Sequence, residues 1–489
     1  MNRPVRRVAL AVMVMVVVLL GNITYVQVVM AGQYRDDSRN QRSQIDEYSR
    51  QRGQITADGQ VLAQSVDTDG RLRYARQYPE GPAFAPVTGF LSTVYGKGAL
   101  ERSADDVLNG TDDRLFVRRL SDLITGRDPA GGNIVTTIDP EVQRAAYDGL
   151  ESRGYTGAVV ALEPQTGNIL GMASTPSYDP NRLASPDAAE QQAAWRQYNN
   201  AELNPLTNRA INEIEPPGST FKLVTTAAAL QNGYDPDSRL TAAPNMQLAD
   251  STTTLENYNG TPCGSGATAS LREALARSCN TAFAQLGGEL GADTLRAQAE
   301  AFGIGRSDLQ VPMRVTASQV GPMSDVPSTQ QSAIGQRDVR LTPMQLAMIG
   351  GSIANGGQTM APHLIREVRS ATLDVVDTTD PDRMARSMPG DVAGTLTDLM
   401  IGSEERTQGG GKITGVQIAS KTGTAEHGTD PKNTPPHAWY VAFAPAENPK
   451  VAVAVLVESG GDRGAEATGG SVAAPIGRSV IAEALRDAQ

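Results

Sequence analysis

In the stretch EPPGSTFKLVTTAAALQNG, residues 215 to 233, a serine stands three residues ahead of a lysine. Residues three apart share one face of a helix, so the Ser219 hydroxyl and the Lys222 amine can meet there. The amino-terminal end of a helix also favours developing negative charge. A serine hydroxyl is a weak nucleophile near neutral pH, and an amine that burial has made neutral can take its proton. The pair is therefore a candidate nucleophile and base, against the plainer alternative of a serine cap with a lysine that reaches solvent.

Two more short elements follow in the chain, Ser278-Cys279-Asn280 and Lys421-Thr422-Gly423-Thr424. Only six lysines occur, at 97, 222, 412, 421, 432 and 450. With six, a serine three residues upstream is expected by chance about 0.4 times, whereas Lys-Thr-Gly-Thr is expected on the order of 0.01 times. Ser-x-Asn alone carries almost no weight. The three histidines, His363, His427 and His437, fit no metal-ligand spacing and no Gly-x-Ser-x-Gly context, so they read as structural or surface residues. No metal or cofactor is expected.

The elements that must position these residues can be read in outline. Pro216, Pro217 and Gly218 give the apolar helix an irregular start, Ser219 sits where a helix start wants a hydroxyl, and Asn232 and Gly233 close it. Phe221, Leu223, Val224, Ala227, Ala228, Ala229 and Leu230 leave almost no polar face, which predicts a buried helix. Upstream, a strand from Asn133 leads into a helix over about 140–153, and GAVVALEPQTGNILGMAS reads as a hairpin. Residues 178–215 read as a polar connection. A helical middle follows, then the strands GVQIASKTGT, HAWYVAFAPA and KVAVAVLVES and a closing helix from Pro475. This order predicts one antiparallel sheet built from both ends of a domain with a helical insertion between them. The stretches SEERTQGGGKITG, read as mobile, and AEHGTDPKNTPP flank the Lys421 strand as loops.

At 489 residues, with 39% hydrophobic content, there is room for two or three domains. A net charge of -11 and the lack of basic clusters beyond the amino terminus exclude nucleic acid as a natural partner. Arg3, Arg6 and Arg7 precede an apolar run over 8–31, which reads as an uncleaved membrane anchor with residues 1–7 cytoplasmic. A cleaved signal peptide is the alternative. The rest of the chain is then extracytoplasmic: a small polar, β-containing module over 32–132 and a larger domain over 133–489. In that compartment the only two cysteines, Cys263 and Cys279, are expected to be joined, with two buried free thiols as the alternative.

The three motifs, in this order, resemble the active-site set of penicillin-binding proteins and class A β-lactamases. The fragments RGQITADGQVLAQS, YGKGALERSADDVLNG, IVTTIDPEVQRAA, LTNRAINEIEPPGSTFKLVTTAAAL, SAIGQRDVRLTPMQLAMIGGSIANGG and HAWYVAFAP extend that resemblance over most of the chain. They make it similar to a class B penicillin-binding protein, although Thr56-Ala57-Asp58 departs from the Asp-Arg-Asn of many relatives. The resemblance implies an α+β penicillin-binding fold: a five-stranded antiparallel sheet flanked by helices, an all-helical subdomain, a preceding module and one transmembrane helix. It implies D,D-transpeptidation of peptidoglycan stem peptides ending in D-alanyl-D-alanine, through an acyl-enzyme on Ser219, and acylation by β-lactams. Lys222 is then the base, Ser278 a proton relay and Asn280 a ligand of Lys222 or of a substrate amide. Lys421 supplies positive charge, Thr422 and Thr424 bind the terminal carboxylate, and Gly423 lets the acyl chain approach. The backbone N–H groups of Ser219 and Thr424 form the oxyanion hole. About 100 residues between anchor and transpeptidase are too few for a glycan polymerase, so a membrane glycosyltransferase and other wall-synthesis proteins are expected partners. The alternatives are a D,D-carboxypeptidase or serine β-lactamase, which pass the acyl group to water, and a non-catalytic division or elongation scaffold. A β-lactam sensor would need a signalling domain, for which seven residues before Val8 leave no space.

Overall fold

The computed structural model describes residues 3–30, 50–69, 72–116, 124–126, 130–430 and 433–486. The amino-terminal helix Arg3–Thr24, continued by a wider turn over Tyr25–Val29, buries none of its side chains against the rest of the chain. It is 27 residues long, and an 18-residue stretch within it has a mean hydropathy of 2.4, long and apolar enough to cross a membrane.

Beyond it lies a six-stranded sheet in the order Val375–Thr378, Ile365–Arg369, Asn133–Thr136, Ile55–Ala57, Gln60–Asp67, Tyr74–Gln77. Asp58 and Gly59 both have positive φ at the tip of its first hairpin, the conformation a tight two-residue turn demands. Asp-Gly suits such a turn. Ile55 pairs in parallel with Ile134, so the strand read as the start of the larger domain lies inside the sheet of the preceding module. Strands drawn from beyond residue 364 complete the other edge. Behind the sheet, the fully buried Glu101 accepts from Arg52 Nε and Arg76 Nε, both at 2.6 Å, and from Tyr78 Oη at 3.1 Å. Burial alone would raise the Glu101 pKa, but the two guanidinium groups outweigh it and hold the carboxyl below its usual value.

The second sheet is wholly antiparallel, ordered Ala419–Ala425, His437–Ala444, Val451–Val457, Gly157–Leu162, Ile169–Thr175. The hairpin from early in the domain and the three late strands thus meet at Val451–Val457 and Gly157–Leu162. Every residue of those two strands is buried, because both sheet faces are covered. Alternate residues feed opposite cores. Ala158, Val160 and Leu162 face the helical insertion with Leu223, Leu346 and Ile349, while Val159 and Ala161 face Val142 and Ala146 of the helix Pro140–Glu151 and Ile476 and Val480 of the closing helix Ala474–Arg486.

Two expectations change. The stretch 178–215 contains the helices Pro180–Leu183, Ala188–Asn199 and Arg209–Asn212. Each is capped by an Asp or Asn side chain, a local signal outweighed in the sequence by the surrounding polarity. The segment after Glu404 is tethered: the fully buried Arg478 donates to the carbonyls of Thr407, Gln408, Gly409 and Gly410. That guanidinium also pairs with Glu404, whose other oxygen accepts from Ser420 and Tyr440.

Candidate active site

Ser219 is not a helix cap. It lies inside a 3-10 turn, Gly218–Phe221, and the α-helix proper runs from Lys222 to Gln231 with no side-chain cap. The hydroxyl is thereby free of the backbone and faces Lys222. Gly218 makes the turn possible, with φ of 52° and a Cβ that would stand only 2.7 Å from the Thr424 carbonyl oxygen. The turn and the Lys421 strand are therefore in direct backbone contact.

Lys222 is fully buried, and its side-chain nitrogen is the hub of the site. It donates to Ser219 Oγ at 3.0 Å, Asn280 Oδ1 at 2.8 Å and the Ser278 carbonyl at 2.7 Å, with Ser278 Oγ at 3.4 Å. Burial first, and then the charge of Lys421, push its pKa well below that of a free lysine. An amine whose pKa is lowered beside a serine is an arrangement that could serve acyl transfer as a base.

Ser278 and Asn280 reach the hub because the helices Leu271–Arg277 and Asn280–Leu290 are broken between them. Ser278 adopts a left-handed conformation (φ 60°, ψ 42°), rare for a residue with a Cβ and common at functional turns. Asn280 opens the next helix and anchors its amide nitrogen on the Glu256 carbonyl. Between the two, Cys279 forms a disulfide with Cys263, with Cα atoms 5.7 Å apart and both residues buried.

Lys421 projects from the strand Ala419–Ala425 into the same space, fully buried, and donates to Ser278 Oγ at 2.9 Å and to the Thr422 carbonyl at 3.0 Å. Burial pulls its pKa down to about 7. It is thus more than a distant positive charge: Ser278 sits between two lysines and links them. Thr422 and Thr424 are partly exposed along the strand, and Thr424 Oγ1 also accepts from Gly469 N–H at 3.4 Å. Gly423 has a structural demand on it. A Cβ there would come within 2.5 Å of the Pro217 carbonyl oxygen, so the missing side chain makes room for the turn that carries Ser219.

The sequence reading set aside residues that lie close by. His427 and His437 stack with ring centroids 3.6 Å apart, and His437 Nε2 lies 3.3 Å from Glu215 Oε2. Trp439 Nε1 donates to the Pro216 carbonyl at 2.8 Å. The signal was the fragment HAWYVAFAP itself, in which alternate residues of one strand can reach a common neighbour. His363 is remote from this group, its backbone paired with the hairpin turn near Asn168.

A serine with a buried amine, a second serine, an asparagine and a Lys-Thr-Gly strand, set between a five-stranded antiparallel sheet and a helical subdomain, define a serine acyltransferase site of the penicillin-binding type. Residues 157–482 match the penicillin-binding protein transpeptidase domain and residues 52–134 the penicillin-binding protein A dimerisation domain. The chain belongs to the penicillin-binding protein transpeptidase family. Its short module and arginine-rich composition point, within that family, to penicillin-binding protein A of actinobacteria. In accord with this, it is 58% identical over 490 residues to the peptidoglycan D,D-transpeptidase PbpA of Mycolicibacterium smegmatis, with 100% of both chains covered. It is 55% identical over 489 residues to the protein of the same name from Mycobacterium tuberculosis, with 99% of each covered. Its fold matches the ceftriaxone acyl-enzyme complex of penicillin-binding protein A from M. tuberculosis with a TM-score of 0.89 at 56% identity, covering 90% of this chain and 100% of that one. The D,D-transpeptidase domain of a peptidoglycan glycosyltransferase from Eggerthella lenta is a more distant match, with a TM-score of 0.75 at 29% identity, covering 90% of this chain and 99% of that one.

Proposed function

We propose that the protein is a peptidoglycan D,D-transpeptidase of cell-wall synthesis, with Ser219 as its acylated nucleophile. The observation that carries this reading is the Lys222 amine, buried, with its pKa pushed well below that of a free lysine, and 3.0 Å from Ser219 Oγ. In the forward step Ser219 Oγ attacks the carbonyl of the penultimate D-alanine while Lys222 takes its proton. The peptide bond to the terminal D-alanine then breaks, and its amine leaves with a proton relayed through Ser278. An acceptor amine attacks the ester, gives up a proton by the same route, and restores the Ser219 hydroxyl.

The remaining residues divide the work by position. Backbone N–H groups of Ser219 and Thr424 stabilise the oxyanion, a contribution of about 3 kcal/mol per donor in comparable sites. Lys421 keeps Ser278 oriented, Thr422 and Thr424 hold the terminal carboxylate, and Asn280 fixes Lys222. A β-lactam is attacked by the same oxygen and keeps its leaving group attached. The amino-terminal helix anchors the chain with residues 1–7 in the cytoplasm and the catalytic domain outside, where a separate membrane glycosyltransferase supplies the glycan.

Labelling the detergent-solubilised full chain with a fluorescent penicillin tests this. Ser219→Ala is expected to abolish covalent labelling while changing stability by less than about 1 kcal/mol, since one partly solvated hydrogen bond is lost. Full labelling of the folded variant would remove Ser219 from its role. Acyl-enzyme that decays slowly supports a transpeptidase, whereas rapid hydrolysis would indicate a β-lactamase.

A further inference from the structure

The segment that delivers Ser219 is tied down on two sides. On one side its backbone pairs with a neighbouring loop: Glu215 N–H donates to the Leu341 carbonyl at 3.0 Å, Leu341 N–H returns a bond at 2.9 Å, and Gly218 N–H donates to the Gly335 carbonyl at 3.0 Å. On the other side the strand His437–Ala444 reaches it with two side chains. His437 and Trp439 are two residues apart and so share a strand face. Trp439 holds the Pro216 carbonyl, and His437 Nε2 meets the Glu215 carboxylate at 3.3 Å.

The orientation of the His437 ring is set. Its Nδ1 accepts from Ser459 N–H at 3.1 Å, which leaves the proton on Nε2, the nitrogen 3.3 Å from Glu215 Oε2. The His427 ring covers its face at 3.6 Å, with planes 10° apart. The same two residues also register the strand of the third motif, with Ala425 opposite His437 and Gly423 opposite Trp439. One strand therefore grips both the turn that carries the nucleophile and the strand that carries Lys421 and Thr424.

We infer that Glu215, held by His437, is a positioning residue for Ser219, locking the nucleophile's turn to the strand pair that bears Thr424. The inference rests on the reading of Ser219 as the acylated residue. Glu215 stands outside the proton path between Lys222, Ser278 and Lys421, so its loss should leave penicillin affinity alone and slow the bond-forming step. A misplacement of about 1 Å can slow a reaction by about 10²-fold, and the retained backbone bonds should limit the loss here to about tenfold or somewhat more.

The test is rapid-mixing acylation of the full-length protein by a fluorescent penicillin, which separates the non-covalent Kd from the acylation rate constant. Glu215→Ala and His437→Phe are each expected to lower that constant by about tenfold with Kd unchanged, while Glu215→Gln, which keeps an acceptor oxygen, stays near wild type. The double variant Glu215→Ala with His437→Phe should be no slower than either single one, because both remove the same contact. Undiminished acylation in His437→Phe, equal loss in Glu215→Gln and Glu215→Ala, or multiplicative loss in the double variant would overturn the proposal. If Glu215→Ala fails to fold, His437→Phe and Glu215→Gln decide on the same criteria. A wild-type protein that Ser219→Ala shows to be labelled elsewhere would sink the functional reading instead.

Discussion

Lys421 Nζ stands 2.9 Å from Ser278 Oγ, joining residues 143 apart in the chain. Ser278 also lies 3.4 Å from Lys222, so the two lysines flank one hydroxyl, and each has a different consequence when removed.

In the proposed mechanism Lys222 is the base. Lys222→Ala should still bind penicillin but acylate more slowly by about 10² or more, the usual scale of general base catalysis. Stopped-flow acylation is the measurement, and an unchanged rate constant would mean that another group activates Ser219.

The two depressed lysines predict how rate and stability vary with pH. In the proposed mechanism acylation uses a neutral amine at Lys222, so its rate constant should rise with pH and level off. Stability should rise as well. Lys421 titrates at about 7 in the folded protein and near 10.5 when unfolded, so between those values the unfolded chain holds the extra proton and raising the pH favours the fold. Below pH 7 both states are protonated and the full penalty of burying the charge applies. Urea titrations across pH 7 to 10 should show this rise in the wild type and a shallower one in Lys421→Met.

The disulfide pins the turn between Ser278 and Asn280 to a segment 16 residues earlier. Replacing both cysteines by alanine should lower stability by about 3 kcal/mol in the chain-entropy account of a loop this size. It should also slow acylation, because Cys279 lies between two ligands of Lys222. Thermal unfolding and acylation of the double variant check both. A variant with full acylation would show that the helix break holds the turn unaided.

Behind the Lys421 strand, the largely buried Glu404 joins Arg478 to Ser420 and Tyr440. Glu404→Ala would strand the buried Arg478 guanidinium and should cost about 3–5 kcal/mol. A denaturant midpoint close to that of wild type would show that the carbonyls of residues 407–410 satisfy Arg478 by themselves.

By itself the sequence determined the chemistry and the ingredients of the fold. Ser219-x-x-Lys222 and Lys421-Thr422-Gly423-Thr424 are each contiguous, and residue type and spacing offered a nucleophile and base whose meaning the family resemblance then supplied. The apolar run of Val451–Val457 announced a strand, and the helix after Ser219 announced its burial by having no polar side. The family was legible for the same reason, since its motifs are local. What only the tertiary structure decided are distances across the chain and the use of space. Whether Ser219 caps a helix or stands free depends on a 3-10 turn shaped by Thr424, some 200 residues away. The need for glycine at 423 comes from the Pro217 carbonyl packed against it, which no strand pattern encodes. His437 and Glu215 look unremarkable where they stand in the sequence, and their contact exists because two strands and a turn converge. The strand Asn133–Thr136 reads as the start of a second domain, yet its partners are Ile55–Ala57 on one side and Ile365–Arg369 on the other. Hydrogen-bond partners in a sheet are chosen by long-range packing, whereas a strand's own periodicity records only that it is a strand.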